Sequence, residues 1–243
     1  AEEYIKMKSL PLEQVAKLSD ILIVFGGDGT MLSVARKVVK EDISLLGVNT
    51  GKLGFLTECE EHEDLEKIAE KLISGDFRLE TRAMLNVSYG INEYLALNEV
   101  SLSRGISKHT IDVSIYVDGG LCDKVTGDGV IISTPTGSTA YAMSCGGAIL
   151  SPSVKAFGVT AICPHSLNSR PMVVGDESEL CLVANDCKNK DVVVCVDGEN
   201  IILSENKIEV FVKKSEYYTK LIRLNENNFY NKLIQKMSGW NKL

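Results

Sequence analysis

The pattern of apolar and polar positions divides the chain into two unlike stretches. Up to Gly75, helix and strand signals alternate. Pro11 suits a first helical turn, and Leu12, Val15, Ala16 and Leu18 follow at roughly helical spacing, which predicts a helix over 9–19. Ile21-Leu22-Ile23-Val24-Phe25 is wholly apolar, as expected for a short parallel strand buried on both faces. A glycine-rich turn then leads into a predicted helix over 30–39 and a strand over 44–48. Leu65, Ile68, Ala69, Leu72 and Ile73 share one face of a further helix, with Gly75 placed as its C′ residue. A doubly wound domain ordinarily opens with a strand ahead of its first helix, and none is visible here, as though the native start were missing.

Between Phe77 and Leu224 the helical period largely disappears. Alternating segments such as Ile111–Val117 and Lys207–Val212 take over, punctuated by the turn signals Asp118-Gly119-Gly120 and Asp197-Gly198. Helical spacing returns over 226–237. The expected architecture is α/β plus all-β. A Rossmann-like α/β domain spans 1–80 and regains the C-terminal helix (226–243), and a many-stranded β domain spans 81–225.

Composition narrows the function classes. Of 243 residues, 44% are apolar and 24% charged, too apolar for disorder. A formal net charge of −7 and a pI near 5.1 argue against a nucleic-acid surface, which needs a basic footprint. The acidic Ala1-Glu2-Glu3 start has no apolar segment behind it, so no signal peptide is expected. No apolar run approaches the ~20 residues of a membrane span. Seven cysteines without a C-x-x-C pair suggest reduced thiols in a cytoplasmic protein. The three histidines are too scattered for a metal triad, and no metal ligand is assigned. His62 reads as a solvated helix start, His165 as part of a structural motif, and Trp240 as a packing anchor or a disordered end.

Two segments carry chemistry. Gly26-Gly27-Asp28-Gly29-Thr30 follows a strand and opens a helix, the place where open α/β sheets bind ligands. Glycines let the backbone approach phosphate oxygens, and free amides with the helix dipole favour anions. A carboxylate beside polyphosphate is repelled by it, so Asp28 needs a reason. It could bind Mg²⁺, accept a proton from an attacking hydroxyl, or cap the helix. The second segment, Gly127–Tyr141 (GDGVIISTPTGSTAY), runs from a strand into a turn dense in hydroxyls and small residues with one aromatic. That composition suits a polar ligand with many hydroxyls, such as a dinucleotide.

Together with Asn98-Glu99, Asn49–Leu56 (NTGKLGFL), Pro164–Pro171 (PHSLNSRP) and Val196–Glu199 (VDGE), these segments resemble the NAD kinase family in order and approximate spacing, over nearly the whole chain. GGDGT alone is shared with lipid kinases and phosphofructokinases. The resemblance implies transfer of the γ-phosphoryl of ATP to the adenosine ribose 2′-hydroxyl of NAD, with Asp28 as general base. Gly26, Gly27, Gly29 and Thr30 would lie near phosphates. Phe55, Thr136, Thr139, Ala140, Tyr141, Ala142, Met143 and Ser144 would line the NAD site, with Tyr141 offering a stacking face. Asn98 and Glu99 would hold the adenosine side and Asp128 the nicotinamide side. His109, Thr126 and Glu199 are weaker transfers. The resemblance also implies a divalent ion, Mg²⁺, arriving with ATP, and a homo-oligomer, dimer or tetramer. Leu56 stands where some relatives carry Tyr, and Thr126 where some carry a basic residue. Two rivals remain: a lipid or sphingoid-base kinase, which would need an apolar substrate pocket, and a non-catalytic NAD(P)-sensing module, which would have no use for Asp28.

Overall fold

The computed structural model describes residues 9–51, 54–60, 63–106, 108–185, 187, 192–203, 205–225 and 229–240, with only the backbone of 202, 239 and 240. Lys52, Leu53, His62 and the side chain of Trp240 lie outside the described residues. The chain forms two compact units, 1–80 with 220–243, and 81–219.

The first unit begins with α1 (Leu12–Lys17), shorter than its periodicity predicts. Pro11 is already outside it as N-cap, and Leu18 leaves helical geometry at its end. β1 (Ile21–Phe25) follows as predicted, but it is not buried on both faces. Leu22 and Val24 are buried whereas Ile23 and Phe25 are 46% and 54% exposed. The reason is its place at the sheet edge, where it pairs with β2 (Ser44–Asn49) and one face stays uncovered. β2 is the strand that fits the apolar-run expectation, since it lies between neighbours and five of its six residues are buried. α2 (Asp28–Val38) joins the two and buries Met31, Ala35 and Val38 as one stripe. It starts two residues before the predicted Thr30, which puts Asp28 inside the helix. β3 (Cys59–Glu60) adds a parallel pairing to β2. α3 (Leu65–Ser74) is capped by Asp64, whose carboxylate accepts from the Glu66 and Lys67 amides, and ends at Gly75 in the left-handed region (φ 74°).

The second unit is built from strands, and α4 (Tyr141–Ser144) is its four-residue helix. In chain order the strands are β4 (Arg78–Tyr89), β5 (Asn92–Ala96), β6 (Glu99–Arg104), β7 (Ile111–Val117), β8 (Gly120–Gly127), β9 (Gly129–Ser133), β10 (Ala156–Ile162), β11 (Met172–Gly175), β12 (Leu180–Ala184), β13 (Val192–Val196), β14 (Glu199–Leu203) and β15 (Ile208–Arg223). One antiparallel sheet runs β11-β10-β9-β6-β13-β14. In the other, β7 pairs with β8 and β12, and β12 with the first residues of β15. Alternation decides which side chains meet. Ile111, Val113, Ile115, Leu182 and Val210 from one sheet join Val100, Leu102, Val130, Ile132 and Val194 from the other in a single core. Both predicted turns have the φ > 0 pairs that two-residue hairpins require: Asp118 (50°) with Gly119 (78°), and Asp197 (45°) with Gly198 (86°).

The chain re-enters the first unit at Lys220, where β15 pairs parallel with β2 (Lys220 with Ser44, Leu221 with Leu45), and it ends in α5 (Phe229–Trp240). A buried polar cluster fixes this return. The Glu58 carboxylate, 1% exposed, accepts from Arg223 Nη1 (3.2 Å), Lys232 Nζ (3.4 Å) and the amides of Leu224 (3.1 Å) and Asn225 (3.0 Å). Arg223, 3% exposed, also pairs with Glu80 and donates to the carbonyls of Leu56 and Phe55. Lys232 donates to the Thr57 carbonyl at 2.7 Å, and burial pulls its pKa below the usual lysine range. Removing one partner of a buried pair leaves the other charge uncompensated, typically at ~3–5 kcal/mol. Arg223→Met is therefore expected to destabilise the chain by about that much, read as a fall in the urea midpoint. Lys232→Met should cost less, because Glu58 keeps Arg223. Equal, small effects from the two would show that Glu58 is not the anchor.

Candidate active site

In the first unit, the glycine turn connects β1 to α2. The Gly26 amide donates to the Val48 carbonyl at 2.9 Å, and the Gly27 carbonyl accepts from Thr30 and Met31. The N-cap is Gly27, with no side-chain cap, so the Asp28 and Gly29 amides at the start of α2 have no intrahelical partner. A Cβ added at Gly27 or Gly29 would meet nothing within 4 Å. The turn is thus an open helix N-terminus, the geometry that binds phosphate.

Asp28 does not cap this helix. Its carboxylate instead reaches the end of the Asn49–Leu56 segment, where Oδ2 accepts from the Phe55 amide (2.9 Å) and Oδ1 from the Leu56 amide (3.0 Å). The approach is so close that a Cβ on Gly54 would stand 2.1 Å from Asp28 Oδ1, so only glycine fits there. Lys236 of α5 completes the surroundings, with Nζ 3.4 Å from Asp28 Oδ2 and 4.3 Å from the centroid of the half-buried Phe55 ring. Phe229 packs against the same ring, centroids 6.0 Å apart.

In the second unit the hydroxyl-rich turn folds on itself. Thr134, Thr136, Ser138 and Thr139 are all buried. Thr134 Oγ1 donates to the Leu97 carbonyl and accepts from the Gly137 amide. Ser138 Oγ donates to the Pro135 carbonyl and accepts from the Leu150 amide, Thr139 Oγ1 donates to the Thr136 carbonyl, and Thr136 Oγ1 accepts from the buried Arg82. These hydroxyls hold the turn's shape. What the turn displays comes just after them. Ala140 is half-buried, and Tyr141 (46% exposed) and Ser144 are exposed, with Met143 half-buried and Ala142 inside the core.

The same turn seats Asn98 and Glu99. The Thr134 amide donates to the Asn98 carbonyl, and a Cβ on Gly137 would lie 2.1 Å from that oxygen. From the other side Asp197, at the β13–β14 hairpin, accepts from the amides of Leu97 (2.7 Å), Asn98 (2.9 Å) and Glu99 (3.0 Å). Sequence reasoning missed this positioning role of Asp197, although the VDGE segment was its signal. Burial, reinforced by the charge of Asp197, pushes the Glu99 carboxyl up to about 8, so it is uncharged at neutral pH. Its Oε2 is buried with no hydrogen-bond partner among the described residues.

Asp128 is engaged by Arg104, a residue to which no sequence motif points. Arg104 binds it through Nε–Oδ1 (2.5 Å) and Nη2–Oδ2 (3.2 Å), and the Arg104 amide donates to the Asp128 carbonyl. The Arg104 hydrogen bonds and charge hold the Asp128 carboxyl below the usual range. Cys163 and His165 also act on Asp128, and Tyr141 lies close enough to feel its charge. His109, Thr126 and Glu199 are exposed, and Thr126 donates its hydroxyl to Asp112.

An open helix N-terminus beside a single carboxylate, and a hydroxyl-rich turn beside a neutral acid, are parts that a nucleotide-dependent phosphotransferase would use. The solved structures agree. Yeast NADH kinase complexed with NADH superposes with a TM-score of 0.86 at 29% identity, covering 96% of this chain and 70% of that one. An NAD kinase from Archaeoglobus fulgidus in complex with ATP gives 0.77 at 27%, covering 91% and 84%. The ATP-NAD kinase N-terminal domain model matches residues 4–77 and the C-terminal domain model residues 97–224. An NAD kinase of Colwellia psychrerythraea is 39% identical over 98% of this chain and 83% of its own length, and one of Natranaerobius thermophilus 36% over 93% and 80%. The chain belongs to the ATP-NAD kinase family.

Glu99 yields a pH prediction. An ordinary Glu titrates near 4.5, whereas the folded state keeps the proton until about 8. Between these values the folded chain binds the extra proton, so this group lowers stability as pH rises from about 4.5 and stops doing so above about 8. Replacing Glu99 by Gln should remove that part of the slope in melting temperature against pH. An unchanged slope would mean that Glu99 ionises normally.

Proposed function

We propose that this chain transfers the γ-phosphoryl group of ATP to the 2′-hydroxyl of the adenosine ribose of NAD, yielding NADP and ADP. The observation that carries the reading is Asp28, a carboxylate in the first turn of the phosphate helix that is not the helix's cap. The hydroxyl oxygen attacks the γ-phosphorus while the bond to the β–γ bridging oxygen breaks. The electron pair leaves with ADP, and the hydroxyl proton passes to Asp28. Each Asp28 oxygen accepts one amide, which leaves a second lone pair on each, the one on Oδ2 shared with the Lys236 ammonium. The two amides also fix the carboxylate's direction, so the base is oriented before substrate arrives.

Asn98 and the neutral Glu99 hold the adenosine side of NAD, Asp128 the nicotinamide carboxamide, and Tyr141 a ring face. Phe55, Thr136, Thr139, Ala140, Ala142, Met143 and Ser144 complete the pocket or its support, with His109, Thr126 and Glu199 at its margin. A divalent ion, Mg²⁺, would arrive with ATP and supply charge neutralisation on the donor. The described residues contain no cluster of three metal-ligating side chains. That fits an ion carried mainly by phosphates and water, with Asp28 as the protein carboxylate within reach. No described helix is long and apolar enough to cross a membrane. The reading adds a cytoplasmic homo-oligomer.

Incubation with ATP, Mg²⁺ and NAD should produce NADP; absence of NADP from folded protein would sink the reading. Asp28→Asn should lower kcat at least ~10²-fold, the usual contribution of a positioned base, with NAD affinity changed by no more than a few-fold. Calorimetric NAD titration of the same variant checks the second half. A variant that keeps its turnover would remove Asp28 as base.

A further inference from the structure

The phosphate turn has a charge problem that its own residues do not solve. From Val24 to Ala35 the sequence contains no Lys or Arg, and its one charged group is the Asp28 carboxylate. A triphosphate approaching α2 would meet that negative charge with only amide dipoles to offset it. Phosphoryl-transfer sites place a cation at the transferring group, because charge shifts there in the transition state.

The fold brings a cation to this point from the far end of the chain. Lys232 and Lys236 are four residues apart, one turn of α5, and so share a helix face. Lys232 is the buried anchor, held by Thr57 and Glu58. Lys236 projects one turn further on, its ammonium over the face of the Phe55 ring, 4.3 Å from the centroid, and 3.4 Å from Asp28 Oδ2. That distance is long for a charge-assisted hydrogen bond, which is typically ~2.7–2.9 Å. The Lys236 side chain is 24% and that of Asp28 30% exposed, so the pair is neither tight nor sealed. An ammonium has three donors, and a loose one can add a phosphate oxygen.

We propose that Lys236 is a catalytic residue that binds the γ-phosphoryl group of the donor and, in doing so, releases Asp28 to act as base. The inference rests on the phosphotransferase reading above. Without donor, Lys236 neutralises Asp28. When the triphosphate seats on α2, the ammonium turns to a γ-phosphate oxygen and Oδ2 gains a free lone pair. The 2′-oxygen then bonds to phosphorus, the bridging oxygen departs with its electron pair on ADP, and the hydroxyl proton goes to Asp28 while Lys236 stays protonated on the transferring group. A merely structural Lys236 would steady Asp28 in the resting chain and have no effect on donor affinity.

Lys236→Met keeps an unbranched side chain of similar length and removes the charge; Lys236→Arg keeps the charge. Steady-state kinetics should show kcat about 10²-fold lower in the Met variant. Its KM for ATP should rise several-fold, its KM for NAD should stay within about twofold, and the Arg variant should recover a substantial part of the loss. Titration of a non-hydrolysable ATP analogue with Mg²⁺, in the absence of NAD, reads donor binding separately. If the unaltered chain makes no NADP, the NAD kinase reading fails, yet weaker analogue binding by the Met variant still supports Lys236. Amine acetylation of the unaltered chain, mapped by mass spectrometry, needs no variant to fold: Lys236 should be protected by the analogue. Unchanged kcat and ATP KM in the Met variant, or undiminished labelling of Lys236 under saturating analogue, overturns the proposal.

Discussion

The first unit depends on one buried carboxylate. Glu58 is almost wholly removed from water and is stabilised only because a guanidinium, an ammonium and two amides converge on it. All four donors come from the returning C-terminal segment. A charge so placed makes the return obligatory, since any arrangement lacking Arg223 and Lys232 leaves it buried and unpaired. The same contacts pin the 55–58 segment, because Arg223 and Lys232 also hold the carbonyls of Phe55, Leu56 and Thr57.

That constraint reaches the chemistry through two amides. With their carbonyls held on one side, Phe55 and Leu56 present their N–H groups to Asp28 on the other. The Asp28 carboxylate is oriented by a backbone that is itself fixed by ion pairs, and Gly54 allows the necessary proximity. Lys236 belongs to the same assembly, being carried on the helix that Lys232 anchors. Structural and catalytic electrostatics in this unit are therefore one network.

The second unit solves a different problem, the presentation of a hydroxyl-rich turn on a packed support. Two sheets pack face to face, and their edges are joined by turns with defined backbone signs. The buried hydroxyls of 134–139 and the Asp197 carboxylate satisfy the backbone polar groups that such a turn would otherwise bury unpaired. Glu99 is the exception. It is half-buried, its carboxyl is pushed up to about 8, and one of its oxygens is buried without a partner among the described residues, where its neighbours serve structure.

The sequence by itself determined what short-range physics encodes. Ile21–Phe25 as a strand, Gly75 as a left-handed helix end, the period-two runs and the Asp-Gly hairpins all follow from rules acting within a few residues. The motif order was legible for the same reason, being written in contiguous stretches. Tertiary structure alone decided the rest. One-sided burial of β1 follows from its edge position, and Asp28 became a clasp on Phe55 and Leu56 where a cap was one reading. Arg104 meets Asp128 across 24 residues, Glu58 meets Arg223 across 165, and Asp28 meets Lys236 across 208. No local period or turn signal carries such pairings. They arise only when strands pair and a helix docks, because a charged side chain's partner is chosen by what the packed backbone brings within a few ångströms.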